Sequence, residues 1–226
     1  MIKAKVGKRE IEVKTSWNDL TYSDFLKIVG LDTIEVISIL TGLTVDELAM
    51  LEPLSKQQLT NLLSFVEKIE EEEVTCKDIR EESFGKKILL QEKAKDDNKY
   101  EMIPYAYAIY ELDANDIKNS FDIALTKPFL EVYHNGMNYI EQLTKVIDTE
   151  NEQLKHQPTS EQRRAGLDMF DEFGIINTIN ALAGGNILNY QKVLEIEYST
   201  VFVYLKLKKT EAIYQENYTK IMSQKR

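Results

Sequence analysis

The first thirteen residues alternate between apolar and polar side chains, with Gly7-Lys8 standing between Ala4-Lys5-Val6 and Arg9-Glu10-Ile11-Glu12-Val13. A period of two, broken by a pair with glycine first, predicts a small β-hairpin. After Trp17 the period lengthens. Thr21 and Asp24 stand at capping distance ahead of Phe25-Leu26-Lys27-Ile28-Val29, which predicts a helix start. Asp32 or Thr33 opens the next helix, Gly42 closes it in the left-handed conformation, and Thr44-Val45-Asp46-Glu47 forms a further capping box. Ser55-Lys56-Gln57-Gln58 has the same form and leads into Leu59, Leu62, Leu63, Val66 and Ile69, which share one helical face. Residues 1–70 therefore read as a hairpin plus a helical unit.

The periodicity fails over residues 71–103, where charge takes over. We read this stretch as a charged connector holding a second hairpin, with Ile88-Leu89-Leu90 and Met102-Ile103 as strands and 94–99 at the tip. A second helical unit, 104–226, begins near Pro104. A long helix is expected from Lys127 or Pro128 to about Lys155, broken at His156-Gln157-Pro158. The capping box Thr159-Ser160-Glu161-Gln162 restarts a helix that reaches Leu182-Ala183 and ends at Gly184-Gly185-Asn186. Asn189 caps one short turn, and residues 198–222 form a last long helix, where length outweighs the β-branched Thr200, Val201 and Val203. The expected fold class is mainly α, with the two small hairpins as its only strands.

Composition narrows the class. Apolar residues make up 43% of 226 and charged residues 29%, an ordinary balance for a folded chain. Cys76 is the single cysteine, which rules out an intrachain disulfide and points to a reducing compartment. The N-terminus lacks the apolar run of a signal peptide, and no stretch approaches the about 20 apolar residues of a membrane span. Residues 1–14 carry net +3 and residues 206–226 net +4, so the total of −10 leaves −17 between them. An acidic body of that kind is repelled by phosphates, which argues against nucleic acid as a partner.

Candidate chemistry is sparse. His134 and His156 are 22 residues apart, a spacing that fits neither a paired-histidine helix nor a zinc finger, and both read as surface or helix-end residues. Cys76 has no histidine near it in sequence. The chain carries no phosphate-binding glycine motif, Gly184-Gly185 reads as a helix end, and Asp96-Asp97-Asn98 lacks the spacing of a calcium loop. We therefore expect no catalytic residue, cofactor or metal. Twelve tyrosines are the notable supply, because tyrosine gives large, stiff contact area at interfaces. Tyr105, Tyr107, Tyr110, Tyr198, Tyr204, Tyr214 and Tyr218 are the candidate partner contacts, with core-margin packing as the alternative. The last helix, in which Tyr214, Tyr218 and Ile221 interleave with basic residues, is amphipathic enough to dock in a groove.

Two stretches carry a resemblance. Ile11-Glu12-Val13-Lys14-Thr15-Ser16-Trp17-Asn18-Asp19-Leu20-Thr21, followed by Ile34 to Gly42, resembles the start of small proteins from bacteriophage structural and tail-assembly gene clusters. Residues 164–174, 181–188 and 201–205 look like the closing part of the same group, associated most with crAss-like phages of gut bacteria. The resemblance implies a non-enzymatic virion protein of the portal–tail region, in several copies, with other phage structural proteins and itself as partners, and allows for its being packaged as cargo and ejected with the genome. It equally accommodates a tail-assembly chaperone, found in the host cytoplasm during assembly. A hydrolase using buried carboxylates is the third alternative, and would show a concave cluster of acids with raised pKa.

Overall fold

The computed structural model describes residues 1–6, 9–69, 74–96, 98–155 and 158–224. Strands β1 (Ile2–Val6) and β2 (Arg9–Val13) pair antiparallel, from Ile2 opposite Val13 to Val6 opposite Arg9. The Gly7-Lys8 turn itself lies outside the described residues, as does the expected break at His156-Gln157. All other regular structure among the described residues is helical, so the chain is mainly α.

The chain divides into two compact units that are interleaved in sequence. Unit 1 comprises Met1–Cys76 with Asp96–Tyr139, and unit 2 comprises Lys77–Lys95 with Ile140–Arg226. The sequence-based connector 71–103 is therefore shared between them rather than standing as a region of its own.

Unit 1 holds the hairpin, α1 (Tyr22–Ile28), α2 (Thr33–Thr41), α3 (Val45–Ala49), α4 (Pro53–Leu62), α6 (Lys99–Glu111), α7 (Ile117–Thr126) and the first part of α8 (Phe129–Gln153). Helices α1, α2 and α3 start at Thr21, Asp32 and Thr44, each a complete capping box with the residue three positions on. Gly42 closes α2 at φ 68°. The box expected at Ser55 does not form, because Pro53 at the first helical position starts α4 earlier, behind Glu52. Ile11 and Val13 turn the buried face of the hairpin inward, and the Lys14 amide donates to the Leu40 carbonyl of α2 at 3.4 Å.

The centre of unit 1 is aromatic. The Phe129 ring lies 4.6 Å from Trp17 and 4.6 Å from Phe25, centroid to centroid, and stacks on Tyr22 at 5.8 Å. The backbone closes over it: the Phe129 amide donates to the Leu20 carbonyl at 2.8 Å, and the Tyr22 amide to the Lys127 carbonyl at 3.1 Å. The Trp17 indole N–H finds the Lys68 carbonyl at 3.0 Å. Pro104 sits inside α6, where its ring removes the N–H that would otherwise bond the Tyr100 carbonyl. That carbonyl accepts the Tyr22 hydroxyl at 2.9 Å instead.

Unit 2 holds α5 (Phe84–Lys93), the rest of α8, α9 (Ser160–Arg164), α10 (Ile175–Leu182), α11 (Tyr190–Glu195) and α12 (Tyr198–Ser223). The second hairpin does not exist: Ile88–Leu90 lies in α5 and Met102-Ile103 in α6. Ser83 and Asn98 explain the difference, since their side chains cap the amides of Lys86 and Glu101 and start helices where strands were expected. The helix restarted by the Thr159 box also ends sooner than expected. Gly166 at φ 90° and Gly174 at φ 46° break it into α9, a 3-10 stretch from Leu167 to Phe173, and α10.

Two tests follow from this packing. Burial pushes the Asp24 carboxyl upward, but Lys14 Nζ at 2.6 Å together with the Thr21 amide and hydroxyl outweigh it and hold the pKa at about 2. The folded value lies below the unfolded one near 3.8, so the stabilisation is complete above the unfolded pKa and is lost as pH falls through 2. Urea unfolding from pH 5 to pH 2 should cost the wild type roughly 2 kcal/mol more than Asp24→Asn, and equal slopes would refute the assignment. Gly136→Ala would place a Cβ 2.3 Å from the Ile103 carbonyl oxygen and 2.7 Å from its Cγ2. Thermal unfolding should show a loss of about 1–3 kcal/mol, against the gain in helix propensity that alanine otherwise brings.

Candidate interaction surfaces

The tyrosines singled out by sequence divide sharply. Tyr107 and Tyr110 point inward from α6: Tyr107 donates to the Glu131 carboxylate, and Tyr110 stacks on Tyr139 at 4.5 Å. Tyr198 is also buried, so none of these three presents a surface to a partner. Tyr105 is half-buried, its ring tilted 6.2 Å from Phe121. Tyr204, Tyr214 and Tyr218 are exposed on α12, Tyr214 by 61%. The helix period separates the groups. Tyr107 and Tyr110 lie three apart and share their side of α6 with Ile103 and Ala106, a signal already present in the sequence.

Helix α12 has two different faces. Tyr198 and Val201 are buried, Phe202, Leu205 and Lys209 are half-buried behind them, and Lys209 Nζ donates to the Gln153 and Lys155 carbonyls at 2.9 and 3.0 Å. On the far side Val203, Leu207, Tyr214, Tyr218 and Ile221 recur at helical spacing, and all five are exposed. A soluble helix normally keeps charge on the side turned away from its core. Here the outward side carries an apolar stripe, which a single amphipathic face does not explain.

A second apolar feature lies in unit 1. Helices α2, α3 and α4 leave a cleft of about 380 Å³ between Ile34, Ile37, Val45, Leu48 and Leu59, with the aliphatic part of Lys56 at its edge. Lys56 Nζ is held there by the Ala49 carbonyl at 2.8 Å. Leu48 and Leu59 form the buried floor, while Ile34 and Val45 stand half-open at the mouth. No carboxylate lines this cleft.

The polar groups with unusual surroundings lie elsewhere. Lys87 of α5 is 2% exposed and was not anticipated from sequence. Its Nζ bonds both Glu150 oxygens at 2.9 and 2.8 Å, and lies 5.4 Å from the Tyr198 ring centre. The Tyr198 hydroxyl donates to Glu150 at 3.0 Å, and burial with the neighbouring Glu150 charge raises its pKa. This is a closed set in which ammonium and carboxylate answer one another, so it pins α5, α8 and α12 together within unit 2. His134, expected at the surface, is buried in α8 with Nε2 lacking a hydrogen-bond partner among the described residues. His156 lies outside the described residues. The Cys76 thiol donates to Asn135 Oδ1 at 3.0 Å, and burial, with the Glu111 charge, pushes its pKa up, away from a reactive thiolate.

Among the described residues no three His, Cys, Asp or Glu side chains converge as a metal site, and no helix is long and apolar enough to cross a membrane. The carboxyl groups with clearly displaced pKa, Asp19, Asp24, Glu47, Asp78 and Glu161, all move downward, the direction of ion pairs and caps rather than of a general acid. No protein-family model, curated protein or solved structure matches the chain.

The buried network makes its own prediction. Lys87→Met leaves Glu150 partly buried without its cation and should lower stability by about 3–5 kcal/mol in urea unfolding. Adding Glu150→Met should restore most of the loss, since an apolar pair of similar volume removes the uncompensated charge. A single variant as stable as wild type would show that the pair does not fasten unit 2.

Proposed function

We propose that this protein is a non-enzymatic, protein-binding component of a phage particle, placed in the portal–tail region and present in several copies. The observation that carries the binding reading is the apolar stripe along α12, Val203 to Ile221, which begins opposite the side that packs within unit 2 and continues beyond Lys209, where the helix is exposed on nearly every side. An exposed row of this kind, rimmed by charge, is the form in which a helix docks against another protein. The setting rests on the resemblance carried by Ile11–Thr21, Ile34–Gly42 and the C-terminal segments, which support a place among phage structural and tail-assembly proteins.

The test is incorporation. Quantitative mass spectrometry of purified particles, normalised to the portal protein, should find several copies per portal ring. Particles assembled with Leu207→Glu/Tyr214→Glu should lose the protein although the variant, changed only at exposed positions, keeps its helical circular dichroism. Absence of the wild-type chain from particles, with abundance in infected cells, would overturn the virion reading in favour of an assembly chaperone.

A further inference from the structure

We infer that the partner of the α12 stripe is a second copy of this chain, and that the stripe seats in the cleft between α2, α3 and α4 of that copy. The inference rests on the protein-binding reading of α12 and adds the occupant.

Shape comes first. The stripe advances by 18 residues from Val203 to Ile221, which at about 1.5 Å per residue is roughly 27 Å of helix. Leu207 and Tyr214 stand two turns apart on it, followed one turn later by Tyr218. The cleft, about 380 Å³ and open at Ile34 and Val45, has room for two or three such side chains, and helix-in-groove recognition works by anchors at these spacings.

Charge then selects the copy. Over the described residues 206–224 the helix carries Lys206, Lys208, Lys209 and Lys220 against Glu211 and Glu216, a net +2, with Lys209 turned to the Gln153 and Lys155 carbonyls. Residues 31–62, which build the cleft, carry Asp32, Glu35, Asp46, Glu47 and Glu52 against Lys56, a net −4. All five of these acids are exposed, and Glu47 is paired with Arg9 of the hairpin at 3.3 Å, which leaves the surroundings of the cleft at a net −3. Stripe against stripe would bring two net positive segments together, whereas stripe against cleft brings opposite signs together. Opposite potentials of this size steer encounter and reject the like-charged pairing.

The two surfaces are different, so the contact is heterologous: each copy offers one stripe and one cleft. That property gives a test with no neutral outcome. The wild-type chain should run above its 26.2 kDa monomer mass in light scattering, increasingly so with concentration and less so at high salt. A stripe variant, Leu207→Glu/Tyr214→Glu, and a cleft variant, Ile34→Glu/Val45→Glu, alter only exposed residues, and the cleft changes sit in first helical turns where glutamate is tolerated. Each alone should be monomeric, and their mixture should form a one-to-one dimer, since the intact cleft of one meets the intact stripe of the other.

A cleft variant that self-associates like wild type would overturn the inference, as would a mixture that stays monomeric. Should a variant fail to fold, cross-linking of wild-type chains mixed as light and heavy isotopic forms decides the matter. Light-to-heavy links between 203–221 and 33–60 are expected, and links confined to single chains, or none, would overturn the assignment. A wild-type chain that is monomeric throughout yet enters particles would remove the second copy as partner while leaving the protein-binding reading standing.

Discussion

Phe129 is the point on which unit 1 depends. Its ring fills the space between Trp17, Tyr22 and Phe25, and its amide is bonded to Leu20, so one residue fixes both the entry of α8 and the exit of the segment before α1. The preceding Pro128 stands opposite Thr21 in a single antiparallel bridge, and a proline there both starts the helix and offers no competing donor. Buried aromatic rings in edge and offset contact add about 0.5–1.5 kcal/mol per pair beyond area burial, so this cluster outweighs any surface ion pair in the unit. The hairpin, α1 and α2 then follow as attachments to a fixed centre rather than as independent elements.

Unit 2 is fastened by the opposite kind of chemistry. A buried ammonium, a carboxylate and a phenol occupy the place where unit 1 has rings, and the backbone repeats the same device: a single bridge, Ser83 to Glu197, with Phe84 bonded to the Ile196 carbonyl at 2.7 Å and Tyr198 to the Glu82 carbonyl at 2.8 Å. Burying charge adds little net stability, yet it tolerates only one arrangement of partners. Lys87 thereby joins the Ser83–Glu197 bridge in holding α5 against α12, its aliphatic stem buried with its charge. Gly85, where a Cβ would stand 3.1 Å from the Leu194 carbonyl oxygen, allows the close approach of α11 that accompanies it.

What the sequence disclosed follows the range of the interactions concerned. Thr21 with Asp24, Asp32 with Glu35, Thr44 with Glu47 and Thr159 with Gln162 are partners three residues apart, and all four helix starts were legible. The N-terminal hairpin was equally local. The supposed second hairpin misled because Lys87 occupies an inward position between Phe84 and Leu90, and a lysine there conceals the helical period until Glu150 is known to answer it. Gly166 and Gly174 were single residues in an otherwise helical pattern, and their positive φ is set by what the chain must turn around. Of the candidate tyrosines, Tyr204, Tyr214 and Tyr218 of α12 are exposed, whereas Tyr107 and Tyr110 of α6 and Tyr198 of α12 are buried, since propensity for interfaces does not distinguish a surface from a core. The cleft could not be read from spacing, because three short helices must first be brought together.

The interleaving of the two units has a consequence for a chain made from its N-terminus. Tyr22 waits for the Tyr100 carbonyl 78 residues on, and Leu20 waits for Phe129. By then the segment Lys77–Lys95 has already emerged, and its own partners in α8 and α12 have yet to be synthesised. Neither unit can close before the ribosome has passed well into the other. Despite its helical content, the protein therefore places pairings of long sequence separation at the centre of each unit, and their loop-closure entropy must be met before those centres are secured.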